Sequence, residues 1–237
     1  LNLTKEGILQ TKNLSEIGPT EGLVAYYPLD GNIEDYSGLN NHGTNYGAVE
    51  SIGVRSGAYS FDGIDNYISL PDDIGYTTQV SAFAWFKSLG AAAGGYHIIF
   101  GGQELEISIP TSGEIRAGIY TSARYVSNHG SGLLDGDWHH VGLTYDGSIK
   151  RAYIDGSYVG QQSAPDALVY SFANRVLGKY GSNTTYWANG LIDEVRIYNR
   201  ALTEQEIQIL YDIYRPGGPT MKQINDTIYL RGELKGV

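Results

Sequence analysis

GLIDEVRIYNRALTEQEIQILY, residues 190–211, reads as a strand followed at once by a helix. In its first half Leu191, Val195 and Ile197 fall on one parity and Ile192, Glu194, Arg196 and Tyr198 on the other, the period of a strand. In its second half Thr203 stands three residues before Glu206, the spacing of a capping box. Leu202 and Ile207 flank that box as a hydrophobic staple. A carboxylate inside a buried strand is costly unless it is paired or metal-bound, so Asp193 marks a function or a bound ion.

The rest of the chain fits a large all-β unit. Its 237 residues include 32 Gly and 20 Tyr, which suits strands joined by tight turns and bearing aromatic surfaces. Asp-Gly pairs at 30–31, 62–63, 135–136, 146–147 and 155–156 tolerate the positive φ of hairpin turns. LTYDGSIKRAYIDG at 143–156 is the clearest hairpin. Strands separated by such turns, with one helix near 203–212, predict a two-sheet antiparallel sandwich. Residues 1–20 read as a polar lead-in, 21–215 as the sandwich, and 216–237 as a tail with a short strand beyond the Pro216-Gly-Gly-Pro219 breaker. The absence of Met at position 1 is expected of a processed or excised piece.

Charge and composition narrow the partners. A net charge of −10 argues against nucleic acid, whose phosphates need clustered Lys and Arg. It is compatible with Ca²⁺ and with neutral glycans. No run of about 20 apolar residues offers a membrane span. Without cysteine there is no disulfide or thiol chemistry.

Seven segments, in order, resemble laminin G-like domains of the concanavalin A-like lectin/glucanase superfamily. They are LVAYYPLDG at 23–31, DYSGLNNHG at 35–43, AYSFDGIDNYISLP at 58–71, SAFAWFK at 81–87, DGDWHHVGLTYDG at 135–147, AYIDG at 152–156 and the 190–211 stretch. The resemblance runs from near Glu21 to near Tyr211 and implies a concanavalin A-like jelly roll with neighbouring first and last strands. The flanks, TKEGILQTKNLSEIGPTEGLVAYYPLDG and NDTIYLRGELKGV, resemble phage virion sequences in which such a domain rides on a tail or fibre protein. That resemblance implies a virion or extracellular surface location, with other virion or surface-protein subunits as partners. An ordinary bacterial surface or secreted protein is the alternative.

The loop from Asp30 to Gly43 is rich in hard oxygens of the kind Ca²⁺ takes. The resemblance implies a structural Ca²⁺ bridging the first and last strands. Asp30 would match the first-strand carboxylate and Asp193 the last-strand one. Carbonyls of the loop from Ser37 to Asn41 would complete the set, and Asp35 matches a frequent acidic position. The alternative makes Asp30 and Asp35 turn residues and Asp193 an acceptor of backbone hydrogen bonds.

Sugar binding needs an aromatic plane beside polar groups that orient hydroxyls. Three loops offer both: Tyr96 with Gln103 and Glu104, residues 124–129 with Tyr125 and Asn128, and residues 179–187 with Tyr180, Asn183 and Tyr186. Trp187 reads as packed under the sheet, and Trp85 and Trp138 as core. Adjacent His139 and His140 point to opposite faces of a strand and cannot jointly hold one ion. The only pair resembling glycosidase carboxylates is Glu104 and Glu106, and GGQELEISIP departs from the hydrolase pattern. The expectation is a non-catalytic adhesion module that binds a cell-surface glycan or host receptor and is stabilised by Ca²⁺. A structural decoration domain is the alternative, and a glycoside hydrolase a distant one.

Overall fold

The computed structural model describes residues 18–218, apart from 76–77, 103, 122, 166–167, 169–174 and 182–184. The lead-in before Gly18, the strand expected in the tail, and Asn183 lie outside the described residues.

The strands are β1 (Leu23–Tyr27), β2 (Thr44–Tyr46), β3 (Val49–Ile52), β4 (Gly57–Asp62), β5 (Tyr67–Ser69), β6 (Val80–Ser88) and β7 (Tyr96–Gly101). They continue as β8 (Leu105–Pro110), β9 (Ile115–Tyr120), β10 (Arg124–His129), β11 (Trp138–Tyr145), β12 (Ile149–Ile154), β13 (Ser157–Ser163), β14 (Val176–Leu177) and β15 (Asn189–Tyr198). Among the described residues a single α-helix, α1 (Glu204–Tyr214), follows. One sheet of eight strands runs β13-β12-β11-β6-β15-β4-β3, with β1 also on β15; the other, of seven, runs β10-β9-β8-β7-β14-β5-β2. The strand-to-strand pairings are antiparallel throughout, so the expected sandwich is what forms.

The main core lies between the sheets. Ala82, Ala84 and Phe86 of β6 face Leu105, Ile107 and Ile109 of β8 and their neighbours across it. First and last strands are neighbours: Ala25 pairs with Ile197 and Tyr27 with Val195. The strict parity of β15 does not survive. Asp193 pairs with Trp85 and Arg196 with Phe83, so two residues, Glu194 and Val195, oppose Ala84 alone. Glu194 takes a left-handed φ of 51° to make this bulge. The face therefore switches, and Ile192, Val195 and Ile197 enter the core rather than Leu191, Val195 and Ile197.

Helix α1 begins as its sequence dictates, with both arms of the Thr203–Glu206 capping box formed. Leu202 and Ile207 meet in one apolar cluster with Phe83, Tyr153, Tyr198 and Leu210. The helix thus lies on the outer face of the eight-stranded sheet. Trp85 is buried there with Ile213 and Tyr214, and Trp138 is partly buried beside them, not between the sheets. His140 stacks on Phe83 under this cover, while His139 bonds Asp155 and Asp135.

Candidate functional site

The outer face of the seven-stranded sheet carries a different population. Alternation places Glu106 and Ser108 of β8, Arg116 and Tyr120 of β9, and Arg124 of β10 outward, while Leu105, Ile107, Ile115, Ala117 and Ile119 fill the core. Glu106 is 2% exposed and organises the group. Its Oε1 accepts from Ser108 Oγ at 2.7 Å and Arg116 Nε at 2.9 Å. Its Oε2 accepts from the Tyr120 hydroxyl at 2.7 Å and an Arg124 amino group at 2.9 Å. The Tyr120 hydroxyl also meets that of Tyr180 at 2.7 Å. Gly118 makes room for this: a Cβ there would crowd the Glu106 Cβ at 3.0 Å.

Aromatic rings wall the same place. Tyr186 stands edge-on to both Tyr96 and Tyr180, with centroids 5.5 and 6.3 Å apart. Arg116 lies over Tyr96, and Arg124 over Tyr120 and Tyr180. Together Tyr96, Ile98, Glu106, Arg116, Arg124, Tyr180 and Tyr186 line a cavity of 130 Å³. Gly94, at φ 73°, lets the preceding turn pack against Tyr186, where any side chain would collide with the ring.

Three of the six residues expected to touch a ligand therefore meet: Tyr96, Tyr180 and Tyr186. Asn128 stands opposite Arg116 on the same face and bonds Glu114 at 3.3 Å, but it does not line the cavity. Tyr125 does not join them. Residues 124–129 are strand β10, not a loop, and alternation turns Tyr125 inward, where it packs on the core. Arg116, Arg124 and Tyr120 join the site besides the expected residues. The period-2 pattern of LEISIP and IRAGIY already placed Glu106, Arg116 and Tyr120 on one face.

The geometry speaks to chemistry. Burial alone would raise the Glu106 pKa, but hydrogen bonds from Tyr120 and Ser108 and the Arg116 charge hold it below the usual glutamate range. An ionised, four-fold bonded carboxylate has no proton to give a leaving group, as a glycosidase acid must. Glu104 sits apart, in a buried ion pair with Arg175. What Glu106 can do is lock two arginines and a tyrosine in place, leaving the terminal groups of Arg116 and the aromatic faces to a ligand. A larger depression of 600 Å³ opens between 87–92 and 134–136, but its one ring is His97.

The five expected metal ligands fall into two groups. Asp35 accepts from the Tyr26 and Ser37 amides on Oδ1, and from Ser37 Oγ and the Asn41 amide on Oδ2. Asn41 Nδ2 and Ser37 Oγ reach the Val24 carbonyl, and the Asn41 carbonyl takes the Tyr27 hydroxyl. Asp35, Ser37 and Asn41 thus saturate one another and pin their loop to β1. Asp30 and Asp193 meet instead around the turn between β3 and β4. Asp30 Oδ1 accepts the Gly57 amide at 2.6 Å, and Asp193 Oδ2 the Val54 amide at 2.9 Å. Burial, then the charges of Glu194 and Asp30, push the Asp193 pKa well above its ordinary value. Hard oxygens in mutual repulsion suit a cation. Among the described residues no three His, Cys, Asp or Glu are grouped to hold one. Ca²⁺ here would rest on these two carboxylates, peptide carbonyls and water.

Comparison with known proteins agrees with the fold. The sequence matches the family described as the concanavalin A-like lectin/glucanases superfamily, laminin G-like type, over residues 62–208. No curated protein sequence matches. Among solved structures, domain 4 of AbnA, a GH43 extracellular arabinanase from Geobacillus stearothermophilus in complex with arabinotriose, superposes with TM-score 0.66 at 24% identity. That match covers 80% of this chain and 98% of the other. The binding domain of Paraclostridial Mosquitocidal Protein 1 gives TM-score 0.67 at 16% identity, over 82% of this chain and 53% of that one. The binding domain of botulinum neurotoxin DC in complex with SialylT gives 0.65 at 12%, over 81% and 51%. This chain thus spans about half the length of those toxin binding domains. At these identities the likeness establishes the fold.

Proposed function

The chain belongs to the laminin G-like family of the concanavalin A-like lectin/glucanase superfamily, and we propose that it is a non-catalytic adhesion module that binds a cell-surface glycan. The observation that carries this reading is the cavity in which Tyr96, Tyr180 and Tyr186 gather around Arg116, Arg124 and a buried Glu106. Aromatic planes supply apolar contact to sugar rings, and fixed guanidinium donors orient hydroxyl or carboxylate groups. A single shallow site of this kind binds weakly, so adhesion relies on several copies. The virion-like flanks support a phage tail or fibre as the carrier. A multivalent form applied to a glycan array tests the reading. Binding that falls at least tenfold in Arg124→Ala or Tyr180→Ala supports it. No retention by any glycan or host cell replaces it with a structural decoration role, and release of reducing sugar that stops in Glu106→Gln replaces it with hydrolysis.

We also propose a Ca²⁺ ion where Asp30 and Asp193 meet the turn between β3 and β4, tying the last strand to the first sheet edge. The buried Asp193 carboxyl, whose pKa burial above all pushes up, and the nearby Asp30 carboxylate at the same turn support it. At about 100 times its dissociation constant, the ion should add about 2.7 kcal/mol of stability. Equal melting temperatures in EDTA and in excess Ca²⁺ would remove the ion from the account, and Asp193→Asn should abolish any difference.

A further inference from the structure

A second aromatic group occupies the far edge of the same sheet face. Tyr46 of β2 and Tyr67 of β5 are cross-strand partners. Their rings lie flat on each other, 4.5 Å apart and only 6° from parallel. Tyr67 in turn tilts against Trp187 at 6.3 Å. The Lys179 ammonium sits over both, 4.6 Å from Tyr67 and 5.0 Å from Trp187. After all this packing Tyr46 is still 48% exposed. Its position is rigid, because the Asn45 side chain closes the following turn with hydrogen bonds to both the amide and the carbonyl of Ala48.

This group and the cavity share one connecting segment. Lys179 and Trp187 face each other as an isolated β-bridge. They send their side chains toward Tyr67, whereas Tyr180 and Tyr186, one residue further in, reach the cavity. Sideways, Tyr46 and Tyr96 lie three strand spacings apart, from β2 over β5 and β14 to β7, about 14 Å, with a further offset along the strands. That span exceeds one sugar ring. A flat ring stacked on another, with its outer surface in water, is a poor core contact and a good platform for an apolar sugar face. Cations stand along the strip at Lys179, Arg116 and Arg124, while Glu106 is the carboxylate lining the cavity, although the chain as a whole carries a net charge of −10.

We propose that Tyr46, Tyr67 and Lys179 form a second stacking subsite, and that the ligand is a saccharide chain of several rings laid across the strands rather than a single terminal sugar. The proposal rests on the glycan reading of the cavity and specifies its ligand class. A saccharide chain with one ring in the cavity would continue past Lys179 and end on Tyr46.

The test uses the full chain on an array of length ladders, from disaccharide to octasaccharide, of arabinan, xylan, hyaluronan and polysialic acid. The quantity read is the ratio of octasaccharide to disaccharide affinity within whichever ladder binds. A stack of this kind contributes about fivefold in affinity, so the parent should show at least that gain with length. Tyr46→Ala should collapse the ratio toward one, and Tyr46→Phe should keep it. A ratio near one in the parent, or one that Tyr46→Ala does not change, overturns the second subsite while leaving the cavity intact. Failure of every ladder to bind overturns the glycan reading itself, and the subsite with it.

Discussion

The two outer sheet faces of this protein use the same three residue types to opposite ends. On the eight-stranded sheet, Arg196 lies 3.7 Å over the ring of Tyr26, and its amino group reaches the Tyr214 hydroxyl at 3.1 Å. The Tyr26 hydroxyl donates to Glu194 Oε2 at 2.8 Å. On the seven-stranded sheet, Arg116, Arg124, Tyr120 and Glu106 make a similar network. The first is sealed: Arg196 is 2% exposed, and its Nε and one amino group have no hydrogen-bond partner among the described residues. The second is open: Arg116 is 22% and Arg124 48% exposed. The difference is the helix. Where α1 covers an arginine–glutamate–tyrosine network, it becomes part of the scaffold. Where nothing covers it, the same chemistry faces solvent as a preorganised binding surface.

The strongest way to break this comparison is to remove the central charge of each network. Arg196→Ala leaves a buried glutamate and should cost about 3–5 kcal/mol in urea denaturation. Arg196→Met combined with Glu194→Gln should recover part of that loss, since a neutral pair needs no charge compensation. Glu106→Ala should cost about 1–2 kcal/mol, because water reaches the arginines it leaves behind, yet it should abolish glycan retention. Equal destabilisation at the two sites would show that the open face is also mainly structural.

The cover itself can be loosened. Thr203→Ala removes the cap of α1 and should cost about 1 kcal/mol, with hydrogen exchange rising first in the helix and not in β8–β9. A uniform rise would mean that helix and sandwich unfold as one unit.

Two histidines sharpen the comparison by pH. Burial under α1 pushes His140 down to about 3, so it stays neutral in the fold. Unfolded histidine gains a proton below about 6.5. The contribution of His140 should therefore fall as pH drops from about 6.5 toward 4.5, and burial of His97, lowered to about 4, adds to it, while Glu194, raised to about 7 by burial, works in the opposite sense. His139 behaves oppositely. Its hydrogen bond to Asp155 first, and that to Asp135, raise it to about 9. Its contribution is complete below about 6.5 and disappears as pH rises through about 9. His140→Gln should flatten the acid slope in thermal melts and His139→Gln the alkaline one. Unchanged profiles in both variants would contradict the assigned environments.

Much of this could be read from residues 190–211 and the Asp-Gly turns. The alternation, capping box and staple are local, and local chemistry sets them whatever surrounds the chain. The outward set on β8 and β9 is equally legible from alternation. Residues 124–129 are a strand rather than the expected loop, because they pair with β9, and the alternation this imposes turns Tyr125 inward. The swap of faces within β15 was not legible at all. It depends on Glu194 entering a left-handed conformation that only the neighbours β6, β1 and β4 impose.

By itself, then, the sequence determined the two-sheet sandwich, its one helix and the inward and outward residues of each regular strand. These follow from periods of two and 3.6 and from turn chemistry, which act over a few residues. Only the tertiary structure decided which outer face the helix covers. It also decided that Asp30 meets Asp193 while Asp35 serves its own loop, and that Tyr96, Tyr180 and Tyr186 converge on Glu106. Those are contacts between residues far apart in the chain, and a long-range contact depends on strand order and register, which no local pattern encodes.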